Sequence, residues 1–289
     1  MLLVNTSANP RVISRMYARF SSRILAVLQS GDKNLAAEIY KDAKLLPSLT
    51  TLQNLKLNGY TVNGSLYEGS NILLCYKSAV VYVVKSLDTV EAARVRQFQT
   101  VMSDTSPNPH IISFELQEDA EKQKCFMIMP HLPTTLEPMP PLSETLTIRL
   151  WTHMCDGLRY LHSLGFAHMD VKPSNICVSP GEFVLIDLGS ISRFKERSSS
   201  TRAYLPSDLW PVGGRVVSAA SVDWWMLAMT LAEKGCNDQS LDIGTGSTEP
   251  SKNKLLDHLK KHLPESLSKE VLSVIMDSET FSPDAATGS

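Results

Sequence analysis

LHSLGFAHMDVKPSNICVSPGEFVLIDLG, residues 161–189, is the stretch on which the reading of the whole chain turns. Asp170 and Asp187 bracket Lys172 and Asn175, and a short apolar run, Phe183 to Ile186, reads as a strand that delivers Asp187. Gly189 follows two residues later, where a glycine permits a backbone turn that other residues resist. Two carboxylates, an ammonium and an amide in one loop suit a site handling Mg2+ and phosphate, with hard oxygen donors for the cation and positive charge for the anion. The competing reading is an ordinary polar loop after a helix, and the surroundings decide between them.

The order H-x-D-x-K-x-x-N, then D-x-G, resembles the catalytic and metal-binding loops of the protein kinase superfamily. The resemblance implies that Asp170 accepts the proton of the substrate hydroxyl, that Lys172 stabilises the transferred phosphoryl group, and that Asn175 and Asp187 hold Mg2+. Lys172, two residues after the Asp, follows the Ser/Thr type of the family. His168 reads as a structural hydrogen-bonding residue rather than a base. Met169 stands where the family usually has an Arg that binds an activation-loop phosphate.

Upstream, Leu146, Leu150, Met154, Leu158 and Leu161 recur at helical spacing and lead into this loop, with Ser143 as the candidate cap. Before that helix, Tyr60–Val62, Ile72–Tyr76 and Ala79–Lys85 are β-branched and aromatic and are separated by turn signals, which predicts an antiparallel meander. NPHIISFELQ and KCFMIMPHLP supply a fourth and a fifth strand. Lys85 ends a buried strand, where an ammonium is costly without a counter-charge. The resemblance makes it the lysine that contacts the α- and β-phosphates of ATP. It also assigns Leu66, Gly69, Leu74, Val83, Met129 and Leu132 to the nucleotide pocket, with Pro130, His131 and Leu132 as a hinge offering backbone hydrogen bonds to adenine. Tyr67 and Ile72 stand where the first and third glycines of the phosphate loop would be. The helix expected over Thr89 to Met102 offers two candidates for the residue that faces Lys85, an acid and an amide that can only hydrogen-bond. Glu91 lies early, and the register set by Phe98 and Val101 favours Gln97.

Downstream, Ser198, Ser199, Ser200 and Thr201 are phosphosites or disordered polar filler, followed by Pro206, Ser207 and Asp208 where Ala-Pro-Glu is usual. VDWWMLAM reads as a buried helix whose Asp223 anchors the catalytic-loop backbone, because an Asp among tryptophans needs such partners. Residues 236–253 read as a polar loop, and KLLDHLKKHL and LSKEVLSVIM as two further helices.

The chain has 289 residues, 43% of them hydrophobic and 20% charged, enough to bury the core of one large domain or two lobes. With a net charge of −2, nothing in the charge balance suggests a nucleic-acid-coating protein, and no nucleic-acid partner is expected. The five cysteines form no C-x-x-C pair and read as buried thiols of a reducing compartment, hence the cytoplasm or nucleus. No apolar run reaches the roughly 18 residues of a membrane span. Residues 1–31 contain no acid and carry Arg11, Arg15, Arg19 and Arg23, the pattern of a mitochondrial transit peptide or of a basic helix that packs on the following domain. Residues 32–46 read as a second helix, ended by Pro47.

The expectation is an α+β, bilobal protein-kinase-like fold: a helical N-terminal extension (1–54), a β-rich N-lobe (55–130), a mainly helical C-lobe (131–280) and a disordered tail (281–289). The implied activity is ATP- and Mg2+-dependent transfer to a protein Ser/Thr. The alternative is a pseudokinase acting as a binding or scaffold module. Oligomeric state has no signature in the sequence.

Overall fold

A computed structural model describes residues 60–65, 72–77, 80–119, 124–179, 181–205, 216–236 and 252–277. The expected extension, Leu66, Gly69, residues 206–208, most of the 236–253 stretch and the tail lie outside the described residues, as does the side chain of Leu74. The chain divides into two compact units. The first takes residues up to Thr134 together with Cys177–Gly189, and the second takes Thr135–Ile176 and the chain from Ser190 onward.

The first unit is built on a five-stranded antiparallel sheet of β1 (Thr61–Ser65), β2 (Ile72–Lys77), β3 (Val80–Leu87), β4 (Glu115–Asp119) and β5 (Lys124–Pro130), in the order β1-β2-β3-β5-β4. The β-branched and aromatic residues of VVYVVKSL fit a pleated surface and make β3 the central strand. Helix α1 (Thr89–Met102) begins two residues after β3 ends and buries Ala92, Val95 and Phe98.

The expected fourth strand is shorter than NPHIISFELQ. The Asn108 side chain accepts from His110 N at 2.8 Å, turning the chain at Asn-Pro. His110 to Ile112 then runs beside Leu185, with Ile112 N donating to Leu185 O at 2.9 Å and Leu185 N to His110 O at 2.8 Å. Only Glu115–Asp119 joins the sheet.

The second unit is mainly helical: α2 (Glu144–Ser163), α3 (Ala220–Lys234), α4 (Lys252–His262) and α5 (Glu265–Asp277). Leu146, Leu150, Met154, Leu158 and Leu161 form the buried stripe of α2. Ser143 occupies its N-cap position, but the hydroxyl makes no capping bond; Thr147 Oγ1 instead donates to Ser143 O at 3.0 Å. Helix α3 is apolar on every side and buried along nearly its whole length. All five cysteines are buried free thiols. A first unit with a small antiparallel sheet and the helix α1, and a second unit that is mainly helical, make up the α+β architecture the resemblance implies.

Candidate active site

In the first unit, β3 carries Lys85 inward and α1 brings an acid to it. Asp88 caps α1 by accepting from Val90 N and Glu91 N at 2.8 Å each, while Glu91 Oε2 accepts from Asp88 N at 3.1 Å. That reciprocal capping box fixes Glu91, whose Oε1 lies 3.0 Å from Lys85 Nζ. Glu91, not Gln97, is therefore the partner of Lys85. The short β3–α1 connection sets the first turn of the helix beside the lysine, and D-x-x-E is the sequence signal that marks it.

Asp187 Oδ1 meets the same ammonium at 2.7 Å. Burial alone would lower the Lys85 pKa, but Asp187 and then Glu91 overcome it and hold the lysine above its usual value, so it stays charged. The unusual backbone belongs to Asp187 itself, at φ 59, and not to the following glycine. Gly189 is needed for space: a Cβ there would stand 2.9 Å from Lys85 Nζ, 3.2 Å from Asp187 Oδ1, and closer still to Glu91 Oε1.

Val83 pairs with Leu74 and Met129, and shares with Lys85 the sheet face on which Met127 lies. In the proposed hinge, Pro130 has no N–H and His131 N donates to Val81 O at 3.2 Å, so the expected backbone donors reduce to that of Leu132.

In the second unit, the fully buried Asp223 holds the loop before Asp170. It accepts from His168 N and Met169 N at 2.8 Å each, and His162 Nε2 lies 2.9 Å away. Met169 is bent to φ 69 and fully buried. His168, also buried, accepts from Asp170 N through Nδ1 at 3.3 Å, the structural role expected of it.

The Asp170 carboxylate is then surrounded by donors. Oδ2 takes Lys172 Nζ and Asn175 Nδ2 at 2.8 Å each, and Oδ1 takes Thr201 N at 3.0 Å and Thr201 Oγ1 at 2.6 Å. Lys172 Nζ also donates to Thr201 Oγ1 at 2.6 Å. Asn175 Nδ2 reaches Asp170 O as well, at 2.8 Å.

The run Ser198 to Thr201 is therefore not disordered filler. Ser198, fully buried, donates to Ser190 O at 2.6 Å. Ser200 donates to Met169 O, and Thr201 completes the Asp170 cluster. Ser199 is the exposed one of the four. Thr201 went unrecognised as a site residue because its partner lies 31 positions away and no local pattern links them. A second such link is Tyr204, whose hydroxyl donates to Glu233 Oε2 at 2.5 Å.

A family model described as "Protein kinase domain" matches residues 62–282. Serine/threonine-protein kinase mos of Xenopus laevis is 41% identical over 58 residues, covering 20% of this chain and 16% of that protein. Protein kinase MCK1 of Saccharomyces cerevisiae is 28% identical over 168 residues, covering 55% of this chain and 42% of that protein. Probable serine/threonine-protein kinase glkA of Dictyostelium discoideum is 24% identical over 196 residues, covering 65% and 40%. The chain spans less than half the length of each of these relatives.

Proposed function

The chain belongs to the protein kinase family, and on that premise we propose that it is an active, ATP- and Mg2+-dependent protein Ser/Thr kinase. The observation that carries the reading is the Asp170 carboxylate held among Lys172, Asn175 and Thr201. A protein without chemistry to perform has no physical need of an acid so closely positioned beside a lysine.

In the reaction, Asp170 takes the proton of the substrate hydroxyl as that oxygen forms its bond to the γ-phosphorus. The bond from that phosphorus to the bridging oxygen breaks and ADP leaves. Lys172 offsets negative charge on the moving phosphoryl group, and Lys85, held by Glu91 and Asp187, meets the α- and β-phosphates. Val83, Met129 and Leu132 supply apolar contact and a backbone donor to the base. Asn175 uses its Nδ2 on Asp170, which leaves its carbonyl oxygen for a cation. That oxygen and the Asp187 carboxylate are hard donors of the kind Mg2+ takes. When bound, Mg2+ would neutralise phosphate charge. The five buried free cysteines favour a cytoplasmic or nuclear location.

The test is phosphate transfer from labelled ATP with Mg2+, to the protein itself and to a generic basic protein, comparing wild type with Asp170→Asn. Transfer by the wild type that disappears in the variant is expected. No transfer by either, with no nucleotide bound, would replace this reading with a pseudokinase scaffold.

A further inference from the structure

In the second unit, the segment that follows Ser190 is fastened to the residues that lead into α3, and Ser218 makes most of the fastening. Ser218 is 1% exposed and lies just before Ala220, where α3 begins. Its two backbone groups and its hydroxyl are all engaged by that segment. The N–H donates to Glu196 O at 2.7 Å, the carbonyl accepts from Lys195 N at 2.9 Å, and the hydroxyl donates to Ser192 O at 3.1 Å. Beside it, Val216–Val217 pairs antiparallel with Arg197–Ser198, with Val217 opposite Arg197 and Val216 opposite Ser198. Ser192 and Arg193 pair in turn with Ala167 and Phe166, and Phe194 N donates to Gly165 O at 3.0 Å.

What Ser218 holds is a turn that its own sequence disfavours. Glu196 N donates to Arg193 O at 3.1 Å, which closes a turn from Arg193 to Glu196, and Lys195 within it stands at φ 72. A turn with positive φ at its third residue favours glycine there, because a Cβ crowds the backbone. Such a conformation persists only where the surroundings over-determine it. Here Ser218 takes the N–H of Lys195 on one side and the carbonyl of Glu196 on the other. The segment then runs on past Ser198 to Thr201, whose N–H and hydroxyl both meet Asp170 Oδ1. Helix α3, which Ser218 leads into, carries Asp223, and Asp223 holds His168 N and Met169 N just before Asp170. One stretch of chain, 216–223, therefore braces Asp170 from two directions: through the loop before it, and through the segment that ends on Thr201.

We propose that Ser218 is a positioning residue for phosphoryl transfer, fixing the segment 192–198 so that Thr201 holds the Asp170 carboxylate in place. Its effect on transfer rests on the kinase reading above; its hold on the segment does not.

Ser218→Ala removes the hydroxyl bond to Ser192 and keeps the backbone bonds, whereas Ser218→Thr keeps a hydroxyl. Arg193, Lys195 and Arg197 are exposed, so trypsin reports on the segment. In the full chain, at a temperature where circular dichroism shows Ser218→Ala folded, cleavage after these residues, read by mass spectrometry, should quicken on the order of fivefold. The kcat for transfer to a generic basic protein should fall by about fivefold with KM for ATP unchanged, and Ser218→Thr should restore both readouts. A merely structural serine would lower Tm and leave the kcat of the folded protein where it was. Wild-type cleavage in folded Ser218→Ala would overturn the proposal, and so would faster cleavage with wild-type kcat. A wild type that transfers no phosphate, with cleavage that still quickens in Ser218→Ala, would remove the kinase reading and uphold the hold on the segment. Should the variant not fold, hydrogen exchange on the wild type decides. Amides of Lys195 and Ser218 slowed on the order of a hundredfold support the proposal, and amides exchanging as in an open chain refute it.

Discussion

Replacing Asp223 with Asn tests whether the loop before Asp170 is held from beneath. The carboxylate accepts two backbone N–H groups at 2.8 Å and lies 2.9 Å from His162 Nε2, in a fully buried position. An amide keeps one acceptor oxygen and turns the other into a donor. If the oxygen keeps His168 N and His162, the new NH2 faces the N–H of Met169, donor against donor. One charge-assisted bond is lost, about 1.5–3 kcal/mol, and a buried N–H is left unmade, about 1–3 kcal/mol. Removing a buried charge offsets part of this. Met169 sits at φ 69, a left-handed conformation that costs an L-residue about 1–2 kcal/mol and that the anchor maintains. The net expectation is a loss of about 3 kcal/mol, or roughly 6–12 °C in Tm at this chain length. Urea unfolding of wild type, Asp223→Asn and His162→Phe measures it, with the His162 variant removing one donor and leaving both backbone bonds. A loss below about 1 kcal/mol for Asp223→Asn would refute the anchoring argument.

Three further outcomes are expected. Gly189→Ala drives a methyl into the Lys85–Glu91–Asp187 group; ATP affinity by calorimetry should fall about tenfold, or about 1.4 kcal/mol, and unchanged affinity would contradict the close approach. Glu91→Gln weakens both the Lys85 pair and the capping box of α1, costing about 1–2 kcal/mol in thermal unfolding, whereas Gln97→Ala should be near neutral; the reverse ranking would restore Gln97 as the partner. Tyr60 should titrate at about 12, raised first by burial and then by its bond to Glu115. The folded pKa lies above the unfolded value near 10, so this stabilisation is complete below about pH 10 and lost as pH rises toward 12. Carbon-13 NMR of the ring should show the midpoint, lowered only in part by Glu115→Gln, and a wild-type midpoint near 10 would disprove the coupling.

Legibility in the sequence followed the range of the interactions. The apolar stripe of α2 and the β-branched run of β3 carry their periodicity within a dozen or so residues, and both formed as the pattern predicts. Asp223 was legible because a carboxylate between apolar neighbours demands partners. Residues 108–114 misled, because the apolar run reads as strand while Asn108 imposes a turn that diverts it to Leu185. Glu91 was hidden by reading the helix through its buried face when its position is set by its cap. Thr201 stood out only as one of four adjacent hydroxyls, with no local signal of its bond to Asp170. Its value lies in a contact that exists only after the segment folds back on Asp170.

That fold-back bears on how the loop is ordered. An Arg before the catalytic Asp would draw a phosphate onto the segment, but Met169 is apolar, fully buried, and engaged through its backbone. Its carbonyl accepts from Ser200, while Ser198 binds Ser190 O and Thr201 binds Asp170. Neutral hydroxyls thus hold this segment by hydrogen bonds where the family's pattern has a phosphate–arginine pair. A phosphate on Thr201 would set about −1.5 to −2 charges against the Asp170 carboxylate and break its two bonds from that residue. On the proposed reading, modification there is expected to lower transfer rather than raise it. Thr201→Ser keeps the hydroxyl and should retain transfer activity, whereas Thr201→Val and Thr201→Glu should both lose it, the Glu variant more. Activity in the Glu variant matching or exceeding the wild type would show that the segment is ordered by charge after all.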